Sequence, residues 1–172
     1  MRNLKREAAE RGITPERLIF APRVAPEAHL ARHRLADLFL DTAPYNAHTT
    51  ASDALWMGLP LVTCAGRTFP SRVAASLLHA VGLPELVTHS LAEYETLAGT
   101  LAREPGRLAA IKAKLEQNRD TAPLFDTARY TRNLESAFVA IWERHQRGEA
   151  AESLTLVESA APPPSASRTP PP

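Results

Sequence analysis

Between residues 17 and 88 the chain alternates short, unbroken apolar runs with longer stretches in which apolar residues recur every three or four positions. The runs RLIFA (17–21), LADLFLD (35–41), LPLVTC (59–64) and LPELVT (83–88) read as strands buried on both faces, because a strand with one wet face would alternate. The stretches between them read as helices. Residues 3–11 are closed by Gly12, with Pro15 beyond; EAHLARHR covers 27–34; Thr50 to Met57 ends at Gly58; and RVAASLLHAVG is capped by Ser71 and closed by Gly82. This order predicts an α/β, Rossmann-like parallel sheet with helices on both faces.

Beyond residue 90 only the helical period remains. Ser90 and Glu93 form a capping box for a helix to about Arg103, Pro105 opens the next at its first position, and a long helix follows Asp126. The stripe Tyr130, Leu134, Ala137, Phe138, Ile141, Trp142 predicts one buried face, with the aromatics in the core. From Glu149 the chain carries APPPSASRTPPP and too few large apolar groups to order itself, so the expected division is a folded unit, 1–148, and a disordered Pro-rich tail, 149–172. Such a tail can adopt the extended polyproline form, although proline spacings of this kind arise readily from composition.

Composition narrows the function classes. With 172 residues, 44% of them hydrophobic, the chain supports one core. A net charge of +1 provides no global field for nucleic acid or an anionic membrane, so neither is expected as a partner and any anion site is local. The single Cys64 excludes an internal disulfide framework and a CxxC metal site. No apolar run approaches the roughly 20 residues that span a bilayer, and MRNLKREAAERG places charges where a signal peptide is apolar, so a cytoplasmic location is expected.

The stretch DTAPYNAHTTASD, Asp41 to Asp53, joins a strand end to a helix start, and a helix start with unpaired N–H groups favours an anion. His48, Thr49 and Thr50 add movable donors there, and Asp53, one turn on, adds an acceptor suited to sugar hydroxyls. The parts suit a nucleotide diphosphate. Thr50 and Asp53 also fit a capping box that serves only its own helix, and both readings stand on spacing alone. In an open parallel sheet ligands lie beyond the carboxyl ends of the strands. The other loops to weigh there are PRVAPEAHLAR, with Arg23, His29 and Arg32, and AGRTFPSR, with Arg67, Thr68, Ser71 and Arg72. A crevice between the first two loops could hold a base against the imidazole of His29. Taken singly, each arginine reads as solvated surface and Ser71 as a cap. His29 and His33 have the spacing of a two-histidine metal pair, but no third ligand is fixed nearby, so no metal is expected. G-x-S-x-G, G-x-G-x-x-G and a Walker lysine are all absent.

His29 with LADLFLDT, the run NAHTTASDALW and the run GRTFPSRVAAS together resemble the carboxyl-terminal lobe of the O-GlcNAc transferase family, GT-B glycosyltransferases with bacterial TPR-containing relatives. The resemblance covers roughly residues 3 to 147, PLFDTARYTRNLESAFVAIWE included. It implies an incomplete carboxyl-terminal GT-B lobe with a helical end, in which His29 packs on the uracil ring of a UDP-sugar. By the same resemblance His48, Thr49 and Thr50 hold the diphosphate, Asp53 contacts the nucleoside sugar, and backbone groups of Val24 and Ala25 reach the base. Pro26 stands where human-type members place a lysine near the ribose. The implied reaction moves N-acetylglucosamine from UDP-GlcNAc to a Ser or Thr hydroxyl, with the UDP-sugar as donor substrate, no other cofactor and no catalytic residue in this stretch. A protein acceptor is expected only together with the family's amino-terminal catalytic lobe, which does not precede Met1, so the chain is expected to be a fragment. A nucleotide-binding or interaction module without activity, or a lobe of another GT-B-like enzyme such as a UDP-sugar epimerase, are the alternatives.

Overall fold

Parallel pairing in the computed structural model, which describes residues 1–155, is carried by three short strands. They are β1 (Phe39–Leu40), β2 (Leu61–Cys64) and β3 (Val87–Thr88), in the order β1-β2-β3. Phe39 lies opposite Leu61 and Leu40 opposite Val62; on the other side Thr63 faces Val87 and Cys64 faces Thr88. β2 is central, and its Leu61, Val62 and Thr63 are fully buried. The continuous apolar run is what a strand covered on both faces requires.

The described residues form seven α-helices: α1 (Arg2–Glu10), α2 (Pro26–Arg32), α3 (Thr49–Trp56), α4 (Val73–Ala80), α5 (Leu91–Arg103), α6 (Pro105–Arg119) and α7 (Thr127–Gln146). α3, α4 and α5 pack against β2, and α6 closes over α3 and α5. Leu55, Leu78, Leu83, Leu86, Leu101 and Leu115 meet in the core without solvent exposure. Each such side chain contributes about 1.5–3 kcal/mol relative to an exposed one. Helix ends follow the local chemistry. Gly58 (φ +80) and Gly82 (φ +75) sit just past α3 and α4 in the left-handed region, and the next amides reach back, Leu59 N to Ala54 O at 2.9 Å and Leu83 N to Leu78 O at 2.8 Å. Ser90 Oγ accepts the Glu93 amide at 3.2 Å, but the Glu93 carboxylate takes the amide of His89 rather than that of Ser90.

Three expectations are corrected. RLIFA is not a strand: Pro15–Arg17 form a 3-10 turn and 18–21 have no regular structure. A strand needs a hydrogen-bonding neighbour, and an apolar groove of about 1010 Å³, lined by Leu4, Ala8, Leu18, Phe20, Leu38 and Leu40 among others, separates this segment from β1. Ile19 is left 90% exposed. Ser71 does not cap α4; it ends a 3-10 turn, Phe69–Ser71, in which its hydroxyl donates to Thr68 O at 2.8 Å and receives the Thr68 amide at 3.0 Å. The backbone between Ser71 and Val73 therefore belongs to a separate turn, and Arg72 stands at the helix start. Finally, the apolar stripe of α7 is not core. The helix packs chiefly on the 3-10 turn Pro123–Phe125, and Phe138 and Trp142 are each 61% exposed. Residues 151–155 carry no helix or strand, and most of the tail expected from residue 149 lies outside the described residues. No described helix is long and apolar enough to cross a membrane.

Candidate functional site

The loop from β1 to α3 forms an open cleft of about 590 Å³ at the carboxyl end of the sheet. It is lined by Phe39, Asp41, Thr42 and Tyr45 through Thr50 in sequence. Asp41 sits at its floor, 7% exposed. Its Oδ1 accepts the amides of Thr42 (2.8 Å) and Ala47 (2.7 Å), and its Oδ2 accepts the Thr63 hydroxyl at 2.6 Å. The backbone carbonyl of Asp41 accepts the Tyr94 hydroxyl from α5 at 2.9 Å.

Asn46 joins this loop to the next one. Its amide donates to Pro70 O at 2.9 Å and its Nδ2 to Thr42 O at 2.9 Å, while its Oδ1 is buried without a partner among the described residues. His48 is sandwiched in the same place, stacked on Tyr45 (centroids 5.1 Å apart, 18° between planes) and edge-on to Phe69 at 6.1 Å. Gly66 makes the second loop possible, because a Cβ there would overlap the Ser71 side chain.

His48 is the N-cap residue of α3, and no side chain accepts a hydrogen bond from the first turn. The Thr50–Asp53 capping box is therefore not formed. The Thr49 and Thr50 side chains, both exposed, carry no hydrogen bond among the described residues. Asp53, one turn along, points to a different partner: its Oδ2 lies 3.8 Å from His29 Nε2. His29 Nδ1 accepts from Arg32 Nε (3.2 Å) and Nη2 (2.7 Å), which places the ring proton on Nε2, toward the carboxylate. Arg32 also donates to Pro22 O at 2.9 Å, fixing the first loop.

His29, Asp53 and the His48–Thr50 segment are thus brought around the amino-terminal half of one helix, although His29 and Asp53 do not line the 590 Å³ cleft itself. Ala25 is the N-cap of α2 and its carbonyl accepts the His29 amide at 2.9 Å. Val24 is exposed, its backbone groups without hydrogen bonds among the described residues. Arg72 donates to Gly66 O, and Arg23 and Arg67 extend to solvent. The His29–His33 pair is not arranged as metal ligands: the rings meet edge-on at 4.9 Å and His33 Nδ1 faces the carbonyl of His29. Among the described residues no three His, Cys, Asp or Glu side chains cluster as a metal site would require.

Sequence reasoning passed over Asp41 and Arg32 as structural parts of the site. Asp at a strand end, followed by a loop into a helix, does signal a side chain that holds nearby amides. The arginine carried no such signal, because three residues on a helix fit a solvated charge equally well.

The family model "Glycosyl transferase family 41" matches residues 1–134. The chain belongs to this family. Over 153 residues it is 37% identical to the UDP-N-acetylglucosamine–peptide N-acetylglucosaminyltransferase of Caenorhabditis elegans and 38% identical to a probable enzyme of the same description from Arabidopsis thaliana. These alignments take in 89% and 88% of this chain but only 13% and 16% of those proteins. Among solved structures, a lysine-to-methionine mutant of the Thermobaculum terrenum O-GlcNAc transferase superposes with a TM-score of 0.79 at 34% identity, covering 85% of this chain and 28% of that one. The GT-B assignment thus holds for the fold, and this chain spans a minor part of its family-41 relatives.

Tyr94 offers a stability test of the Asp41 anchor. Burial, and after it the Asp41 and Cys64 charges, raises the Tyr94 pKa above its ordinary 10.0. The folded state therefore holds this proton more tightly than the unfolded one; the resulting stability is complete below about pH 10 and declines as pH rises through the raised value. Chemical denaturation from pH 8 to 11 should show a steeper alkaline loss in wild type than in Tyr94→Phe. The variant should also lose about 1 kcal/mol at pH 7 with its hydrogen bond to Asp41. Parallel alkaline limbs in the two proteins would remove Tyr94 from the account.

Proposed function

We propose that this chain binds the UDP part of a UDP-sugar and forms the donor side of a family-41 glycosyltransferase site, whose reaction transfers N-acetylglucosamine to protein Ser or Thr hydroxyls. The observation that carries the reading is the start of α3. It has no side-chain cap and opens on a cleft, and two free threonine hydroxyls stand beside it. The positive helix end and the unpaired amides suit a diphosphate, and Thr49, Thr50 and His48 are donors placed where charge develops on the departing UDP.

His29, held by Arg32, offers a fixed aromatic edge and face for the uracil, with the backbone of Val24 and the amide of Ala25 available at the same loop. Asp53, one turn into α3 and 3.8 Å from His29 Nε2, is in this reading the acceptor for the ribose hydroxyls. Residues 1–148 work as one unit in this reading. A cytoplasmic location belongs to the same reading, and the single Cys64 is compatible with it. The names of the relatives, which include UDP-N-acetylglucosamine–peptide transferases from an animal and a plant, support the choice of donor and of a protein acceptor.

Titration calorimetry with UDP and with uridine tests this. UDP should bind about tenfold more tightly, the worth of roughly 1.4 kcal/mol from helix end and donors together. Thr49→Val with Thr50→Val should cut the difference to the part that the helix end and its backbone amides contribute, and leave uridine binding in place. Asp53→Asn should weaken both ligands, with a stability change under about 1 kcal/mol, the range of an exposed pair. Equal affinity for the two ligands in wild type would remove the diphosphate assignment.

A further inference from the structure

We propose that Asp41 is the positioning residue of the diphosphate site, acting through the loop it closes and never touching the ligand; the proposal rests on the reading of the α3 start given above. β1 is two residues long and lies at the edge of the sheet, so the loop that follows it starts from a weak base. One oxygen of Asp41 gathers the two ends of that loop, the amides of Thr42 and Ala47. The other oxygen is anchored to the central strand through the Thr63 hydroxyl, and Thr88 Oγ1 in turn donates to Thr63 O at 2.9 Å, tying that point to β3. The main chain of Asp41 is held from α5 by Tyr94. A single carboxylate thus transmits the sheet's rigidity to Ala47, the residue before the His48 N-cap. The direction in which the Thr49 and Thr50 amides point is set there.

Two other roles are excluded by the same contacts. A buried carboxylate whose two oxygens already accept three hydrogen bonds at 2.6–2.8 Å from the protein itself is committed to the loop and the central strand rather than presented to a ligand as a proton acceptor. Nor can it bind a diphosphate directly, since both are anions. What remains is geometry, and geometry can be separated from charge by substitution. Asn at 41 keeps an oxygen for both amides and drops the charge. Glu keeps the charge but is one methylene too long to hold both amides and Thr63 together.

The experiment measures the ratio of UDP to uridine affinity in wild type, Asp41→Asn and Asp41→Glu, each well below its Tm. Asn should hold the ratio within about twofold of wild type, and Glu should lower it about tenfold, equivalent to 1.4 kcal/mol of lost orientation. A ratio lost in Asn and kept in Glu would show that charge acts instead, and a ratio unchanged in both would reduce Asp41 to a stability contact; either overturns the proposal. If Glu at this buried position prevents folding, hydrogen exchange of the wild type decides. The Ala47 amide should be among the slow amides of the loop and should slow further with UDP but not with uridine, and a fast Ala47 amide overturns the proposal. The failure of the underlying reading has its own signature, a wild-type ratio near one.

Discussion

Given UDP-N-acetylglucosamine and a serine-containing peptide, the purified chain is expected to transfer no sugar above background. Transfer requires the acceptor oxygen, a group that takes its proton and the anomeric carbon to be held about 3–3.5 Å apart, and a misplacement of about 1 Å costs roughly a hundredfold. In the proposed reading the described cleft supplies donors for a leaving diphosphate and little else. Its titratable groups are Asp41, Tyr45 and His48; Asp41 already accepts three hydrogen bonds from the protein, and His48 is stacked on Tyr45 and edge-on to Phe69, with Pro70 O beside it. The chain also spans only 28% of the solved Thermobaculum terrenum relative. Peptide transfer would be followed with radiolabelled donor, alone and after addition of the part of that relative that this chain does not cover. Activity restored only by the addition, and lost again in Thr49→Val with Thr50→Val, is the expected pattern. Turnover by the chain alone that disappears in His48→Ala would show a complete site.

The second large effect concerns α7. Tyr130, Phe138, Ile141 and Trp142 form one apolar face, all mostly exposed, and burial of each large apolar side chain contributes about 1.5–3 kcal/mol. In concentrated solution these faces are expected to bury against a second copy, so sedimentation should show a mass that rises with concentration. Phe138→Glu with Trp142→Glu should return the protein to a monomer. Because neither side chain is in the core, Tm at low concentration should stay within a degree or two of wild type, the shift of a few tenths of a kcal/mol. Association that persists in this variant but is lost in Leu40→Lys would place the contact at the β1 edge instead, and a large fall in Tm would mean that α7 is buried in solution.

Much of the local structure was legible in the residues. Gly58 and Gly82 end helices because the left-handed backbone that closes a helix carries no penalty for glycine, a property of one residue. Pro105 starts α6, and Ser90 and Asp126 cap α5 and α7, each through an amide three residues on. The runs around Leu61–Cys64 and Phe39–Leu40 became neighbouring parallel strands; β2 has the coverage on both faces that continuous apolar character suits, whereas Leu40 on β1 is 56% exposed. The same reasoning overran at RLIFA, where apolar character was present but pairing was not, and at α7, where the period marks an amphipathic helix without naming what covers it.

At the site, the sequence by itself determined that a helix begins at Thr50, one residue after the observed start at Thr49, close to a histidine, and ends one turn past an acid, since spacing and capping are local. It left open whether Thr50 and Asp53 serve the helix or something else. That was decided by tertiary structure: Asp53 turned to His29 on another helix, the first turn of α3 stayed uncapped, and Asp41 gathered Thr42, Ala47 and Thr63. A hydrogen bond between residues 22 positions apart is fixed by where the sheet places two strands, and no periodicity in the chain encodes that distance. Periodicity fixes which side of an element is apolar; only packing fixes which groups of different elements lie within 3 Å of each other.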